Sequence, residues 1–197
     1  VNQLEERQEE PPLQIFILDV GQGDATLVIG PDGRALLIDG GPPKTGAEAV
    51  LNVMADKGIE GVDWILLTHY DTDHIGGIPE ILETLRPRVG LIDRGNGTTE
   101  ENRSYRGYLE TAAAFRITAR PGDILPLGQG ASATVIVVNG RYSDGRRIHL
   151  NPEEENESSI GLLIRYGNFS YFTAGDLPGG GAPGGYETKE MESWAAE

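Results

Sequence analysis

The stretch that most constrains this chain is Trp64-Ile65-Leu66-Leu67-Thr68-His69-Tyr70-Asp71-Thr72-Asp73-His74-Ile75-Gly76-Gly77. An apolar run with the character of a buried strand ends at Thr68. The next six residues, 69–74, hold four side chains able to ligate a metal, and two glycines follow. His69 and Asp71 lie two apart, so an extended backbone turns both to one side. Asp73 and His74 are adjacent at the expected start of a helix. The two pairs therefore face a common space from different backbone directions, and one short loop can ligate two metal ions. A donor set of imidazole and carboxylate suits Zn²⁺, Mn²⁺ or Fe better than a thiolate-seeking metal. A lone His-x-Asp is more often an acidic surface loop, but four ligand types at a strand end, followed by Gly-Gly, favour a metal site.

Composition narrows the rest. The 197 residues are enough for one domain with a sizeable core. A formal charge of −15 argues against a broad electrostatic footprint on nucleic acid or anionic lipid. It does not exclude a phosphate-bearing substrate held by a bound cation, because a metal dominates its local field. The absence of cysteine excludes disulfides, zinc-finger sites and thiol catalysis. No run reaches transmembrane length and no signal peptide is visible. The chain opens on Val rather than Met, as a processed or excised piece would.

The acidic segment 1–12, ending in Pro-Pro, reads as a flexible leader, and 13–197 as one domain. Strands are expected over 13–20, 25–29 and 35–38, with a hairpin turn at Pro31-Asp32-Gly33-Arg34. A helix is expected over 45–57, stopped by Gly58, and another over 75–85. A short strand follows over 89–93, then a polar loop over 95–102 and a helix capped by Ser104 that runs to about Ala114. Further strands are expected over 123–127 and 131–138, and a hairpin joins 158–166 to 170–174 around Gly167-Asn168. The long polar stretch 139–157 carries His149, which reads as an ordinary solvated loop histidine. The segment 178–185 is glycine-rich and 186–197 reads as a helix. Strands arrive in runs and outnumber helices, which suggests sheets covered by helices rather than a doubly wound sheet. Gly21-x-Gly23 lacks the third glycine of a dinucleotide fingerprint and opens a strand, so that reading is rejected. Neither a P-loop nor a Gly-x-Ser-x-Gly elbow is present.

Thr68-His69-Tyr70-Asp71-Thr72-Asp73-His74-Ile75-Gly76-Gly77 resembles the second motif of the metallo-β-lactamase superfamily, His-x-His-x-Asp-His, with Asp71 in place of the second histidine. That variant is similar to the branch holding the soluble domain of the DNA-uptake protein ComEC/Rec2. Three further stretches resemble the same branch in the same order. They are Phe-Ile-Leu-Asp-Val-Gly-Gln-Gly-Asp-Ala-Thr-Leu-Val over 16–28, Leu37-Ile38-Asp39-Gly40-Gly41, and the pair of segments from Asn156-Glu157-Ser158-Ser159 to Thr173-Ala174-Gly175-Asp176. Four motifs in order are far more specific than one.

The resemblance implies an α+β fold, the αββα sandwich, with a metal centre at one edge between the sheets. It implies that His69 and Asp71 serve a first metal, that Asp73 and His74 serve a second, and that Asp176 bridges both. Asp39 would sit beneath the ligands and hold their orientation, and Asp24 would line the site. Asp73 and Asp176 are the residues expected to work in catalysis, with one or two divalent ions (Zn²⁺ or Mn²⁺, Mg²⁺ also possible) as cofactor. The superfamily's third motif places a histidine where this chain reads Glu154-Glu155-Asn156-Glu157-Ser158, so Glu155 or Asn156 is expected to substitute through oxygen. The late histidine of the fifth motif is absent, and the chain is expected to lack the last strands and helices of the fold, whose missing C-terminal segment would be a partner.

A divalent ion brings the pKa of bound water to about 7, which makes hydrolysis the natural chemistry. The expected activity is that of a metal-dependent phosphodiesterase or nuclease, acting on DNA or a related phosphodiester. Without a broad basic surface, DNA would need a local path, for which Arg94, Arg103, Arg106, Arg116 and Arg120 are the nearest candidates in sequence. Two other classes compete. One is a non-catalytic accessory or binding module of DNA uptake, and the other a small-substrate hydrolase of lactamase, thioesterase or lactonase type. The branch resemblance and the lack of cysteine favour an extracytoplasmic or secreted setting.

Overall fold

The computed structural model describes residues 11–97 and 102–179, together with Met191 and Ala195. The leader up to residue 10 and, those two residues apart, the helix expected over 186–197 lie outside the described residues.

Three short apolar segments begin the first sheet. β1 (Gln14–Ile17), β2 (Thr26–Ile29) and β3 (Ala35–Ile38) pair antiparallel in chain order. α1 (Thr45–Asp56) then returns the chain so that β4 (Trp64–Leu66) lies parallel to β3. β5 (Gly90–Asp93) and β6 (Arg116–Thr118) extend the sheet in parallel, giving the order β1-β2-β3-β4-β5-β6. Every residue of β2, β3 and β5 is buried, as strands covered on both faces require.

α2 (Thr72–Ile75), α3 (Ile78–Thr84) and α4 (Arg103–Ala112) complete the helical layer. One apolar cluster joins Leu27, Leu37, Ile65 and Leu91 of the sheet to Val50, Ile81 and Tyr108 of α1, α3 and α4. The opposite faces of the same strands offer Val28, Leu36, Ile38, Leu66 and Ile92 to a second sheet. That sheet is antiparallel, ordered β11-β10-β8-β7, with β9 also paired to β8. Its strands are β7 (Ile124–Gly128), β8 (Ala131–Val138), β9 (Arg141–Tyr142), β10 (Gly161–Tyr166) and β11 (Phe169–Thr173). Leu125, Ala133, Val135, Leu162 and Ile164 fill the space between the sheets. On the outer side of the second sheet, Val137, Tyr142 and Leu177 form a third cluster with Met191 and Ala195.

Three local expectations are corrected, and two short strands come in addition to those expected. The helix expected over 75–85 begins only at Ile78, and a separate short helix over Thr72–Ile75 precedes it across Gly76 and Gly77. A side chain there would strike Pro43 Cδ at 2.3 Å or the Gly40 carbonyl oxygen at 2.3 Å, so the chain gives up helical continuity for close packing. Asn102, not Ser104, caps α4, its Oδ1 accepting from the amides of Ser104 (2.9 Å) and Tyr105 (3.3 Å). β6 and β9, three and two residues long, are too short to carry a legible alternation. The strand expected over 13–20 ends at Ile17, because the chain bends into the Gly21–Gly23 turn with φ of +82° and +92° at the two glycines.

Candidate metal centre

β3 and β4 end side by side, and the site is built at that shared end. Asp39 follows β3 with φ of +56°, a left-handed conformation that few non-glycine residues adopt. Its amide donates to the Leu66 carbonyl (2.9 Å), and its carboxylate is fully buried. Oδ1 accepts from the Thr68 amide (2.8 Å), while Oδ2 accepts from the Thr68 hydroxyl (2.6 Å) and lies 3.0 Å from His74 Nδ1.

This one carboxylate sets two imidazoles. It only accepts, so His74 Nδ1 carries the hydrogen and Nε2 is the atom left for the centre. Thr68 Oγ1 has given its own hydrogen to Asp39, so it accepts at 3.0 Å from His69 Nδ1–H. The relay therefore assigns the same tautomer to His69, from the hydrogen-bond network. His69 and His74 are 0% and 1% exposed, and among the described residues neither Nε2 has a hydrogen-bond partner. Two buried, orphaned imidazole nitrogens aimed at one space are costly unless something fills it.

His69, His74 and Asp176 each offer a ligand atom, and those atoms lie within 4.8 Å of one another. Asp176 Oδ1 is 3.4 Å from His74 Nε2, and Asp71 Oδ2 is 3.5 Å from His69 Nε2. The two carboxylates are each 45% exposed, so the centre has a buried imidazole floor and an open carboxylate mouth. This donor set fits a divalent cation of the imidazole-and-carboxylate class. Close approach is possible because Gly175, at φ +53°, brings the chain after β11 against the centre. A Cβ there would lie 2.4 Å from Thr68 Oγ1 and 3.3 Å from His69 Nδ1.

Electrostatics follow from this layout. Burial opposes charging His74, but its hydrogen bond to Asp39 and the charges of Asp39, Asp176 and Asp24 push it up to about 9. Interaction with His69 holds the Asp71 carboxyl below the usual carboxylate range against the effect of burial. Burial lifts Asp24, with Asp39 and Asp176 lifting it further and both histidines opposing.

The structure thus brings together His69, His74 and Asp176 of the expected ligands, with Asp71 beside His69 and Asp39 beneath. Asp73 sits on α2, where its Oδ2 accepts from Gln22 Nε2 at 3.1 Å. Its carbonyl accepts from the Asp24 amide (3.3 Å), which ties the loop before β2 to the centre. Glu155 commits both carboxylate oxygens to Arg94 and one of them also to the Tyr70 amide, and it is not among the three convergent residues. Of the arginines expected to offer a basic path, Arg94 is buried, and Arg116 binds the buried Asp93. Arg103, Arg106 and Arg120 are exposed. Thr68 is the site residue that spacing does not single out. Its signal is its place between a buried strand and His69, where a β-branched hydroxyl can still reach a neighbouring carboxylate. His149 lines a cavity of about 500 Å³ with Arg94, Asn139 and Glu155; none of the three convergent residues lines it.

Known proteins share parts of this sequence and this fold. ComE operon protein 3 of Bacillus subtilis (strain 168) is 26% identical over 181 residues, covering 83% of this chain and 22% of that protein. Recombination protein 2 of Haemophilus influenzae is 36% identical over 102 residues, covering 50% of this chain and 12% of that protein. Hydroxyacylglutathione hydrolase of Xylella fastidiosa (strain M12) is 46% identical over 56 residues, covering 28% of this chain and 19% of that enzyme. The chain therefore spans about a fifth or less of the length of these relatives. Among solved structures, the subclass B3 metallo-beta-lactamase MEM-A1 from a soil metagenome library superposes with a TM-score of 0.53 at 18% identity, covering 81% of this chain and 58% of that one. The Rm3 metallo-beta-lactamase gives 0.52 at 17% identity, with 81% and 57% covered. These two likenesses are of fold. The family model of the Metallo-beta-lactamase superfamily matches residues 18–177, so a buried two-histidine floor with an aspartate at its mouth, on two packed sheets, is here the work of a chain that belongs to that superfamily of metal-dependent hydrolases.

Proposed function

We propose that this chain is a metal-dependent phosphodiesterase or nuclease. The observation that carries the hydrolytic part is the convergence of His69, His74 and Asp176 within 4.8 Å, with both Nε2 atoms buried and without a hydrogen-bond partner among the described residues. The ligand set is His69, His74 and Asp176, with Asp71 at the mouth beside His69 and Asp73 available from α2. A divalent cation held there supplies Lewis acidity and an activated water. The chain's own residues do the rest. Asp39 and Thr68 keep both imidazoles in the tautomer that presents Nε2. Asp71 and Asp176, at the open mouth, face any incoming substrate and stand where they can orient a water or take up its proton. Asp73 is held by Gln22 on α2.

Two arguments support a phosphodiester rather than an acyl substrate. A site with an added carboxylate in place of an imidazole is harder and suits cations that bind phosphate oxygens. Of the relatives, the two with the larger coverage are ComE operon protein 3 and Recombination protein 2, the latter named for a process on DNA. A thioester substrate is the second reading, favoured by the 46% identity to hydroxyacylglutathione hydrolase over 56 residues. The test is a substrate panel with added Mn²⁺ or Zn²⁺: bis(p-nitrophenyl) phosphate, single-stranded DNA and a hydroxyacyl thioester of glutathione. The proposal expects cation-dependent cleavage of the phosphodiesters, reduced at least ~100-fold in Asp176→Asn. Cleavage of the thioester alone transfers the assignment to the second reading. A chain that binds cation and cleaves nothing supports an accessory module.

A further inference from the structure

The peptide groups on both sides of His69 are held by one segment, the 3-10 turn Glu155–Ser158 and the residues just after it. Before His69, the Thr68 carbonyl accepts from the Ile160 amide at 2.8 Å. After it, the Tyr70 amide donates to Glu155 Oε1 at 2.9 Å. These two peptide planes define φ and ψ of His69, so the segment fixes the direction in which its side chain leaves the backbone, from which the Thr68 hydroxyl orients the ring. The grip continues beyond. The Tyr70 carbonyl accepts from Asn102 Nδ2 at 3.1 Å, and the Tyr70 hydroxyl donates to the Gly95 carbonyl.

Glu155 can hold this position because Arg94 holds Glu155. Arg94 Nε and Nη2 donate to Oε1 (2.7 Å) and Oε2 (2.5 Å), a two-pronged, charge-assisted pair. Arg94 is itself 6% exposed, lies over the Tyr70 ring at 4.5 Å, and has its carbonyl bonded by Asn139 Nδ2 at 2.7 Å. A buried arginine bonded in a fork is a rigid support, and lysine cannot reproduce it.

We propose that Glu155 is a positioning residue for the metal centre, and that the Arg94–Glu155 pair sets cation affinity by fixing the backbone of His69. The inference rests on the reading that the centre holds a cation. Family resemblance expects this segment to supply a ligand, whereas here it braces a ligand instead of being one. The two roles make opposite predictions for Arg94. A ligating Glu155 is released toward the cation when Arg94 is removed, so affinity holds or rises. A bracing Glu155 loses its anchor, so affinity falls.

The test is direct titration of the whole chain with Mn²⁺ and Zn²⁺, comparing wild type, Glu155→Gln, Arg94→Lys and Arg94→Met, with the thermal midpoint of each cation-free variant measured alongside. The expected result is a loss of affinity of about 10–100-fold in all three, the range for groups that orient ligands. Glu155→Gln keeps the shape and still accepts from Tyr70, so it should lose least. Unchanged or higher affinity in a folded Arg94 variant overturns the proposal. Where the Arg94 variants fail to fold, hydrogen exchange of the Tyr70 amide in the wild-type chain decides instead. Slow exchange without added cation is expected, and exchange as fast as an open loop overturns it. A wild-type chain that takes up neither cation refutes the metal-centre reading itself, whereas a wild type that binds with variants that bind equally refutes only the brace.

Discussion

At the scale of single residues, the orientation of both imidazoles traces back to Asp39. It is fully buried and touches no substrate-facing space, yet it fixes the hydrogens on His69 and His74. In Asp39→Asn the amide nitrogen takes the place either of Oδ1, facing the Thr68 amide, or of Oδ2, facing the Thr68 hydroxyl and His74 Nδ1, and each position presents a donor. The first orientation loses the backbone hydrogen bond, and the second loses the acceptor that sets both imidazoles, which are then free to turn a hydrogen toward the centre. The expected outcome is a fall in cation affinity of about 10–100-fold and a loss of about 1–3 kcal/mol in stability from a buried group left unpaired. Titration with Zn²⁺ and chemical unfolding of the same sample check the two parts separately. Full affinity in the variant would show that the relay does not select the tautomers. Asp39 is legible from sequence because it ends an apolar strand as Leu37-Ile38-Asp39-Gly40-Gly41. Thr68 is not, since its role lies in a hydrogen bond across to a residue 29 positions earlier, which no local spacing encodes.

At the scale of elements, the site is an agreement between strand ends. β3 delivers Asp39, β4 delivers Thr68 and His69, α2 delivers His74, and the exit of β11 delivers Asp176 from the second sheet. The apolar runs are legible because four to eight consecutive residues of a strand carry their own signal. The break between α2 and α3 is not, because residues distant in sequence, Pro43 at Gly76 and Gly40 and Ala47 at Gly77, crowd out side chains there. Nor can sequence distinguish a Glu155 that ligates from one that braces, since that depends on Arg94, 61 residues away.

Gly175 tests the meeting of the sheets. Gly175→Ala forces a methyl to within 2.4 Å of Thr68 Oγ1 and also strains a backbone at φ +53°. Gly33→Ala is its control: φ is +85°, but the space around it is open to 4 Å. Both variants should lose about 1–2 kcal/mol to backbone strain. Only Gly175→Ala should also lose cation affinity, because only there must Thr68 and His69 move. Equal cation binding by the two variants would show that the exit of β11 has room to shift without disturbing the imidazoles.

At the scale of the whole molecule, the cation and the proton compete for one nitrogen, and both are coupled to folding. Without cation, the folded chain holds His74 protonated up to about 9, against 6.5 for an ordinary histidine. A raised pKa means the folded state binds the proton more tightly than the unfolded chain does. That contribution to stability is complete below pH 6.5 and disappears as the pH rises through about 9. The thermal midpoint of the cation-free chain should therefore fall across this window, as far as His74 governs it. Cation binding must expel the same proton, so apparent affinity should rise by about tenfold per pH unit below the pKa and level off above it. Stabilisation by a cation at about 100 times its dissociation constant is about 2.7 kcal/mol, and at a fixed cation concentration it grows as affinity grows. The two melting curves, with and without Mn²⁺, should thus diverge with rising pH: the cation-free midpoint falls while the gap to the loaded midpoint widens. Calorimetry in two buffers of different ionisation heat should find His74's proton released on loading at about pH 7.5 and no such release well above about pH 9. A gap that stays constant across the window would mean that the cation does not displace the His74 proton, and the ligand set would have to be rebuilt around His69, Asp71 and Asp176.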